Sequence, residues 1–346
     1  MMQRPWRRNS SNHVCRAIVV FVAVALLGGC GGAQTSTQAP SDPPPTLDAD
    51  DTAAPSSSAV AKAMEAIKNE DFAAAQQALA AIATGPTDDA QAHYYLGVAL
   101  EGLGKGSEAE AQYAYALAAD PKLTEAALNL SAVLLDASKA KEALEVIDAA
   151  LGDSPDSPML LANKALALSM GSDTKLTLQA YEAAVAVAPG NHSLHFEYAT
   201  MLARDGNKTA ALTELDVATE SDDIAVLASS ADAYGKLKAF GKCIAALNRA
   251  LAQKSGNTGL SSEQWAQLHL QRGMCEHGAK DDDSAAKDYR AAIQLNAKLA
   301  AAHYYLGLHL AKSGDKSAAK KSLEQAVALD ASGRVGAAAA KVMKRL

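Results

Sequence analysis

The chain has 346 residues, 49% apolar, 5% aromatic and 21% charged, with 32 basic against 39 acidic residues for a net charge of −7. No basic stripe runs through it, which argues against nucleic acid and against anionic lipid as charge-held partners. Length alone suggests two domains. An Ala-rich, aromatic-poor composition without Val, Ile and Thr runs past residue 29 suits closely packed helices rather than sheets.

Residues 1–16 carry Arg4, Arg7, Arg8 and Arg16 and no acid, and Ala17 to Leu27 is an unbroken run of 11 apolar residues. That run is too short to span a bilayer, which takes about 20 residues, and fits the apolar core of a secretory signal. It ends in Leu27-Gly28-Gly29-Cys30, which resembles the bacterial lipobox. The resemblance implies cleavage before Cys30, a diacylglyceryl group on its thiol and acylation of the freed amine. Two or more chains suffice for stable anchoring. An ordinary signal peptide with a chance cysteine, or an uncleaved anchor, is the alternative. Gly31 rather than Asp follows the cysteine, which by the same resemblance points to the outer membrane and its periplasmic face, with inner-membrane retention disfavoured. Cleavage of residues 1–29 removes four arginines, leaving 28 basic against 39 acidic residues, a net −11. Residues 30–58 are expected to hold the lipidated Cys30 and a disordered tether, because Pro40, Pro43, Pro44, Pro45 and Pro55 stand among Ser, Thr, Ala and Asp. Such a tether spans roughly 30 Å.

From there to residue 333 the sequence repeats. A loose first unit surrounds Phe72, Ala75 and Leu79 and ends near Pro86. The second starts at Ala90 and places Leu96 and Gly97 at positions 7 and 8, Ala109 at 20, Tyr113 at 24, Ala116 at 27 and Pro121 at 32. Steps of 34 from Ala90 reach Thr124, Pro158 and His192 in the same register. Later units start near Ile224, two residues early, near Ala266 after an insertion spanning Ala252 to Glu263, and at Ala300. Position 8 is always Gly, Ala or Ser because the two helices of a unit touch there, and helices pack only about 8–10 Å apart. This spacing resembles the tetratricopeptide repeat, helix-turn-helix units of about 34 residues. The resemblance implies an all-α, right-handed superhelical solenoid of about eight repeats over residues 59–333. Residues 334–346, with Lys341, Lys344 and Arg345 on one side, then form the polar capping helix a solenoid end requires.

Candidate chemistry is sparse. His93, His195, His269 and His303 all sit at position 4. Equivalent positions lie two helix layers apart, far beyond the ~2 Å of a metal bond, so they are read as flat, half-buried packing groups. Cys243 and Cys275 are expected as buried free thiols, with a disulfide as the alternative in an oxidising compartment. Asp281-Asp282-Asp283-Ser284 reads as an N-cap with first-turn acids rather than a calcium loop. Ser261 with Gln264 reads as a capping box, and Trp265 as half-buried beside a surface loop or as a partner contact. No Ser-His-Asp set, phosphate loop, CxxC or HExxH is present, so neither an enzyme nor a cofactor or metal site is expected, the covalent lipid on Cys30 apart.

In the resembled family the first helices line the concave face. Position 5 reads Tyr94, Leu128, Ala162, Phe196, Ala228, Leu270 and Tyr304, and position 9 reads Val98, Ala132, Leu166, Thr200, Asp232, Met274 and Leu308. The expected groove is therefore apolar and lacks the Lys, Arg and Asn rows that family members use for carboxy-terminal carboxylates. It suits an amphipathic helix or extended apolar segment of an envelope protein. The layout of lipidated cysteine and repeats is similar to pilotin-type lipoproteins that assist type IV pilus secretins. Assembly of an envelope complex is the expected function, with an adaptor for peptidoglycan enzymes as the alternative.

Overall fold

The computed structural model describes residues 55–83, 89–256 and 259–346. The chain divides into two compact units, Met1–Val187 and Ala188–Leu346. In the first, the described helices pair as α1 (Pro55–Lys68) with α2 (Phe72–Leu79), α3 (Ala90–Gly102) with α4 (Gly106–Ala119), α5 (Thr124–Asp136) with α6 (Ala140–Asp153), and α7 (Pro158–Ser169) with α8 (Thr174–Val187). In the second, α9 (His192–Arg204) pairs with α10 (Lys208–Ala218), α11 (Ile224–Lys236) with α12 (Phe240–Ala252), α13 (Ser262–Gly278) with α14 (Asp282–Leu295) and α15 (Ala300–Lys312) with α16 (Lys316–Leu329). The capping helix α17 (Arg334–Met343) closes the stack against α16 and α15. The described residues are thus all-helical, with eight hairpins in the expected register and no strand.

Two devices recur along the hairpins. The carboxylates of Asp89, Asp223, Asp281 and Asp315 and the amides of Asn191 and Asn207 cap helix starts by accepting backbone N–H groups, which satisfies donors the helix itself leaves orphaned. Seven of the eight turns between paired helices hold one left-handed residue, the turn between α7 and α8 being the exception. Glycine supplies it at Gly104, Gly206 and Gly314, while Glu70, Ser138, Lys238 and Lys280 adopt it with φ of 59°, 63°, 60° and 68°. Those four hold a conformation that costs a Cβ-bearing residue free energy.

The core follows the small-residue positions. A Cβ added to Gly97 would stand 2.5 Å from the Tyr113 ring, one on Gly273 would stand 2.6 Å from Tyr289, and one on Gly307 would stand 2.7 Å from Leu323. Position 8 therefore receives the side chain of position 24 in its own hairpin. Between hairpins, Phe72 occupies the space beside Gly102 and Phe240 that beside Gly278. First helices of successive hairpins also approach one another, α5 with α7 in the first unit and α9 with α11 and α11 with α13 in the second, which makes them the inner row of each stack.

The boundaries differ at one end and hold at another. Helix α1 begins at Pro55, inside the segment read as tether; proline is tolerated in a helix's first turn, where its missing N–H has no partner to lose. Helix α13 begins at Ser262, where Ser261 and Gln264 form the expected capping box, a full turn before the repeat register at Ala266. A 3₁₀ turn at Gln253–Ser255 takes up part of the insertion. Residues 1–54, with the signal, Cys30 and most of the tether, lie outside the described residues, as do Pro86 and the centre of the loop before Trp265.

Candidate functional site

The position-4 histidines do more than pack. His93 Nδ1 lies 2.7 Å from Gln112 Oε1, His195 Nδ1 2.6 Å from Glu214 Oε2, and His269 Nδ1 2.9 Å from Asp288 Oδ1. Each partner stands 19 residues on, at position 23 of the second helix, so the pair cross-braces one hairpin. The signal was present in the sequence. Where position 4 is apolar, at Ala127, Leu161 and Leu227, position 23 is apolar too, at Val146, Ala180 and Ala246. His303 departs from this pattern: its Nε2 lies 3.0 Å from the Ala297 carbonyl oxygen, and Ser322 stands at position 23.

The expected groove residues separate by burial. Tyr94, Val98 and Leu128 in the first unit and Leu270 in the second are buried, so they are core rather than surface. Position 5 turns partly into the hairpin, and neighbouring helices close over it. Leu166 is half-buried. In the second unit Phe196, Tyr304 and Leu308 are half-buried while Thr200, Asp232 and Met274 are exposed, Met274 to 44%. An accessible row thus survives on α9, α11, α13 and α15. Trp265 is buried at 5% exposure, with Lys254 Nζ 6.0 Å from its ring centroid. It is packed among core residues of α11 and α12, which removes it as a partner contact.

Helices α13 and α14 carry the densest charge cluster. Arg272 donates from Nε and Nη2 to Asp288 at 2.6 and 2.7 Å, while His269 meets the same carboxylate. Glu276 is buried beside them, with Oε1 3.9 Å from Arg272 Nε and Oε2 without a partner. Burial, and then the charge of Asp288, pushes its carboxyl up to about 7. Asp288 goes the other way. Burial opposes its ionisation, but hydrogen bonds from Arg272 and His269 outweigh burial and hold it below the usual carboxylate range.

Beside this cluster, α13, α14 and α15 border an open cavity of about 140 Å³ lined by His277, Asp282, Ala285, Tyr289, Tyr305, Leu308, His309 and Lys312. Tyr289 and Tyr305 stack along it, with centroids 5.5 Å apart at 22°. Asp281 caps α14, and Asp282 lies in its first turn, where it is held by Lys312 and by His277 Nδ1 at 2.6 Å. These two partners lower its pKa, and they occupy the carboxylate that a cation would need. Among the described residues no three His, Cys, Asp or Glu side chains converge as a metal site, and no helix is long and apolar enough to cross a membrane.

Cys243 and Cys275 are bonded, with Cα atoms 6.2 Å apart, inside the usual disulfide range. This corrects the expectation of free thiols. Both side chains are buried small-residue neighbours on α12 and α13, and sequence spacing alone could not give their separation. The disulfide joins the two helices flanking the insertion.

Repeated hairpins with small residues at positions 8, 20 and 27 define a class, the helical-repeat proteins. Within that class, the tetratricopeptide repeat family's model matches residues 60–124, 101–158 and 177–223. A tetratricopeptide repeat protein from Parabacteroides merdae shares the fold at 17% identity, covering 74% of this chain and 99% of its own, with a TM-score of 0.51. MamA from Desulfovibrio magneticus is similar at 21% identity over 49% of this chain and 95% of its own, TM-score 0.45. YrrB, described as a repeat protein with an unusual peptide-binding site, is 16% identical over 57% of this chain and 99% of its own, TM-score 0.46. Comparison with curated proteins gives no match.

Proposed function

We propose that this protein is a non-enzymatic, lipid-anchored scaffold at the periplasmic face of the outer membrane. In this reading it binds an envelope protein through the first helices of its second unit. The observation that carries the reading is the accessible row Phe196, Thr200, Asp232, Met274, Tyr304 and Leu308, on rigid helices with no chemistry of their own. Half-buried aromatics beside an exposed methionine suit an amphipathic helix or extended apolar segment, for which large adaptable side chains serve as anchors. The Cys243–Cys275 disulfide supports an oxidising compartment, in keeping with export and lipidation at Cys30. The layout similarity in the sequence makes a type IV pilus secretin the first envelope complex to test.

Two measurements test this. A photo-reactive residue placed at Phe196 or Met274 in living cells is expected to trap one abundant envelope protein that the same residue at exposed Thr213 on α10 does not. Identical products from all three positions would sink the docking reading. Separately, Cys30→Ala is expected to release the protein from the membrane fraction, and retention there would refute the lipid anchor.

A further inference from the structure

Charge is segregated along the chain. Residues 90–157, the second and third hairpins, hold four basic against eleven acidic residues, whereas residues 312–346 hold eight basic against three acidic. The whole-chain balance conceals this basic end. There the start of α16 meets the end of α17, where Lys316 Nζ donates to the Leu346 carbonyl oxygen at 2.9 Å. Lys316, Lys320, Lys341, Lys344 and Arg345 gather at that corner, all exposed. Lys320 reaches Glu324 at 4.0 Å, and Lys341, Lys344 and Arg345 enter no ion pair among the described residues. Helix electrostatics accounts for only half of the corner. Cations in the last turn of α17 are favoured by its dipole, but Lys316 opens α16, where the dipole favours acids. Helices α4, α6 and α14 carry Glu108, Glu142 and Asp282 in that first turn, and α16 carries no acid there. Clustered like charges also repel one another, and an acidic surface brought from outside relieves both costs.

We propose that this corner docks on the acidic stripe of α6 in a second copy of the chain. Glu142, Glu145 and Asp153 fall on one face of α6 by helical spacing, and Asp156 follows in the next loop. All four are exposed, and none enters an ion pair among the described residues. Acids nearer the corner are already held, Asp282 by Lys312 and His277 and Asp288 by Arg272 and His269. A lipid surface fits less well, because an anionic one would repel the acidic remainder of the chain. The two surfaces differ, so the contact is heterologous and can propagate from copy to copy.

The test is sedimentation of the full chain carrying Cys30→Ala, so that no acyl chain contributes. At about 0.01 M salt, where charges act over roughly 30 Å, the mass is expected to rise with protein concentration. At about 1 M, where they act over roughly 3 Å, it is expected to fall to that of one chain. Apolar association is instead strengthened by a salt such as sulfate, so the sign of the response separates the two. Lys341→Glu, Lys344→Glu and Arg345→Glu together are expected to weaken self-association at least roughly 10-fold, the equivalent of two or three exposed pairs. Glu142→Lys, Glu145→Lys and Asp153→Lys together are expected to do the same. An equimolar mixture of the two reversed chains is expected to associate again, because the acidic corner of one meets the basic stripe of the other. A chain that is monomeric at low salt, association indifferent to either reversal, or a mixture that stays monomeric would each overturn the contact. A monomeric chain that floats with phosphatidylglycerol vesicles, and loses them on reversal of the corner, would assign the corner to lipid headgroups instead. The contact uses neither the lipid nor the docking row, so its failure leaves the scaffold reading standing.

Discussion

The second and seventh hairpins follow one template with opposite interiors. Both brace position 4 histidine to position 23, through Gln112 in one and Asp288 in the other, and both seat a tyrosine on glycine. In the second, positions 7 and 11 are Leu96 and Leu100, buried and neutral; in the seventh they are Arg272 and Glu276, which join His269 and Asp288 in a charged network. The tyrosine hydroxyl is saturated in the second and orphaned in the seventh. The repeat constrains only the residues where its two helices touch. Positions facing the next helix are free to carry polar work, and the seventh hairpin uses that freedom.

The largest expected effect concerns the junction beside the seventh hairpin. Its insertion separates α12 from α13, and the disulfide spans 32 residues across it, whereas only residues 120–123 separate α4 of repeat two from α5. Closing a loop of that length contributes about 3–4 kcal/mol by the chain-entropy account. Reduction, or Cys243→Ala with Cys275→Ala, is therefore expected to lower the unfolding midpoint of the second unit well before that of the first. Hydrogen exchange resolved by segment measures this, and equal loss of protection in both units would contradict it.

Next come the glycines. Gly97→Ala forces a Cβ against a Tyr113 ring whose hydroxyl is held at the far side by Glu101 and Asn129, so the ring cannot retreat. A cost of about 2–3 kcal/mol is expected, toward the upper part of the overpacking range. Gly273→Ala makes a similar clash with Tyr289, but that ring has a cavity to move toward, and about 1 kcal/mol is expected. Denaturant melts of the two variants decide, and equal costs would mean that the cavity gives the Tyr289 ring no room to move.

The charged network predicts a pH dependence that repeat two lacks. The folded state raises the Glu276 pKa to about 7, so the stability this group contributes is full below its unfolded value near 4.3. It is lost as pH rises through 7. Glu276→Gln stays neutral throughout. It is expected to match the parent at pH 4 and exceed it at pH 8 by roughly 1–3 kcal/mol, whereas Leu100→Gln should show no pH-dependent difference. A Glu276→Gln advantage that is the same at both pH values would mean the carboxyl is not held neutral.

Much of this was legible beforehand because contact between paired helices imposes residue size. Gly97, Ser131, Ala165, Ala199, Ala231, Gly273 and Gly307 at one position located all seven regular hairpins, and the caps at Ser261 and Asp281 followed from side-chain chemistry. The groove was only partly legible. Tyr94, Leu128 and Leu270 share a register position with half-buried Phe196 and Tyr304, and Val98 shares one with exposed Thr200, Asp232 and Met274, and register does not say how far the next hairpin closes over it. The disulfide and the cavity were illegible for a related reason. Each depends on the distance between helices of different hairpins, in the disulfide's case across an insertion, which sequence does not encode locally. The brace between positions 4 and 23 was the missed signal, available from the covariation of polarity within this one chain.

The smallest expected effect is the sharpest contrast. Tyr113→Phe removes a hydroxyl that bridges Glu101 and Asn129 and leaves the Asn129 amide facing a dry interior, where its own Oδ1 already lacks a partner. A loss of about 1–2 kcal/mol follows from the unpaired amide and the broken charge-assisted bond. Tyr289→Phe removes a hydroxyl that bonds to nothing, so stability should be unchanged or rise by a few tenths of a kcal/mol as the desolvation penalty disappears. Paired urea melts measure both. If Tyr289→Phe costs as much as Tyr113→Phe, its hydroxyl has a partner in solution, and the two hairpins are alike at the place where they are argued to differ most. If it costs nothing, the buried hydroxyl contributes nothing to the fold, and stability does not account for tyrosine over phenylalanine there.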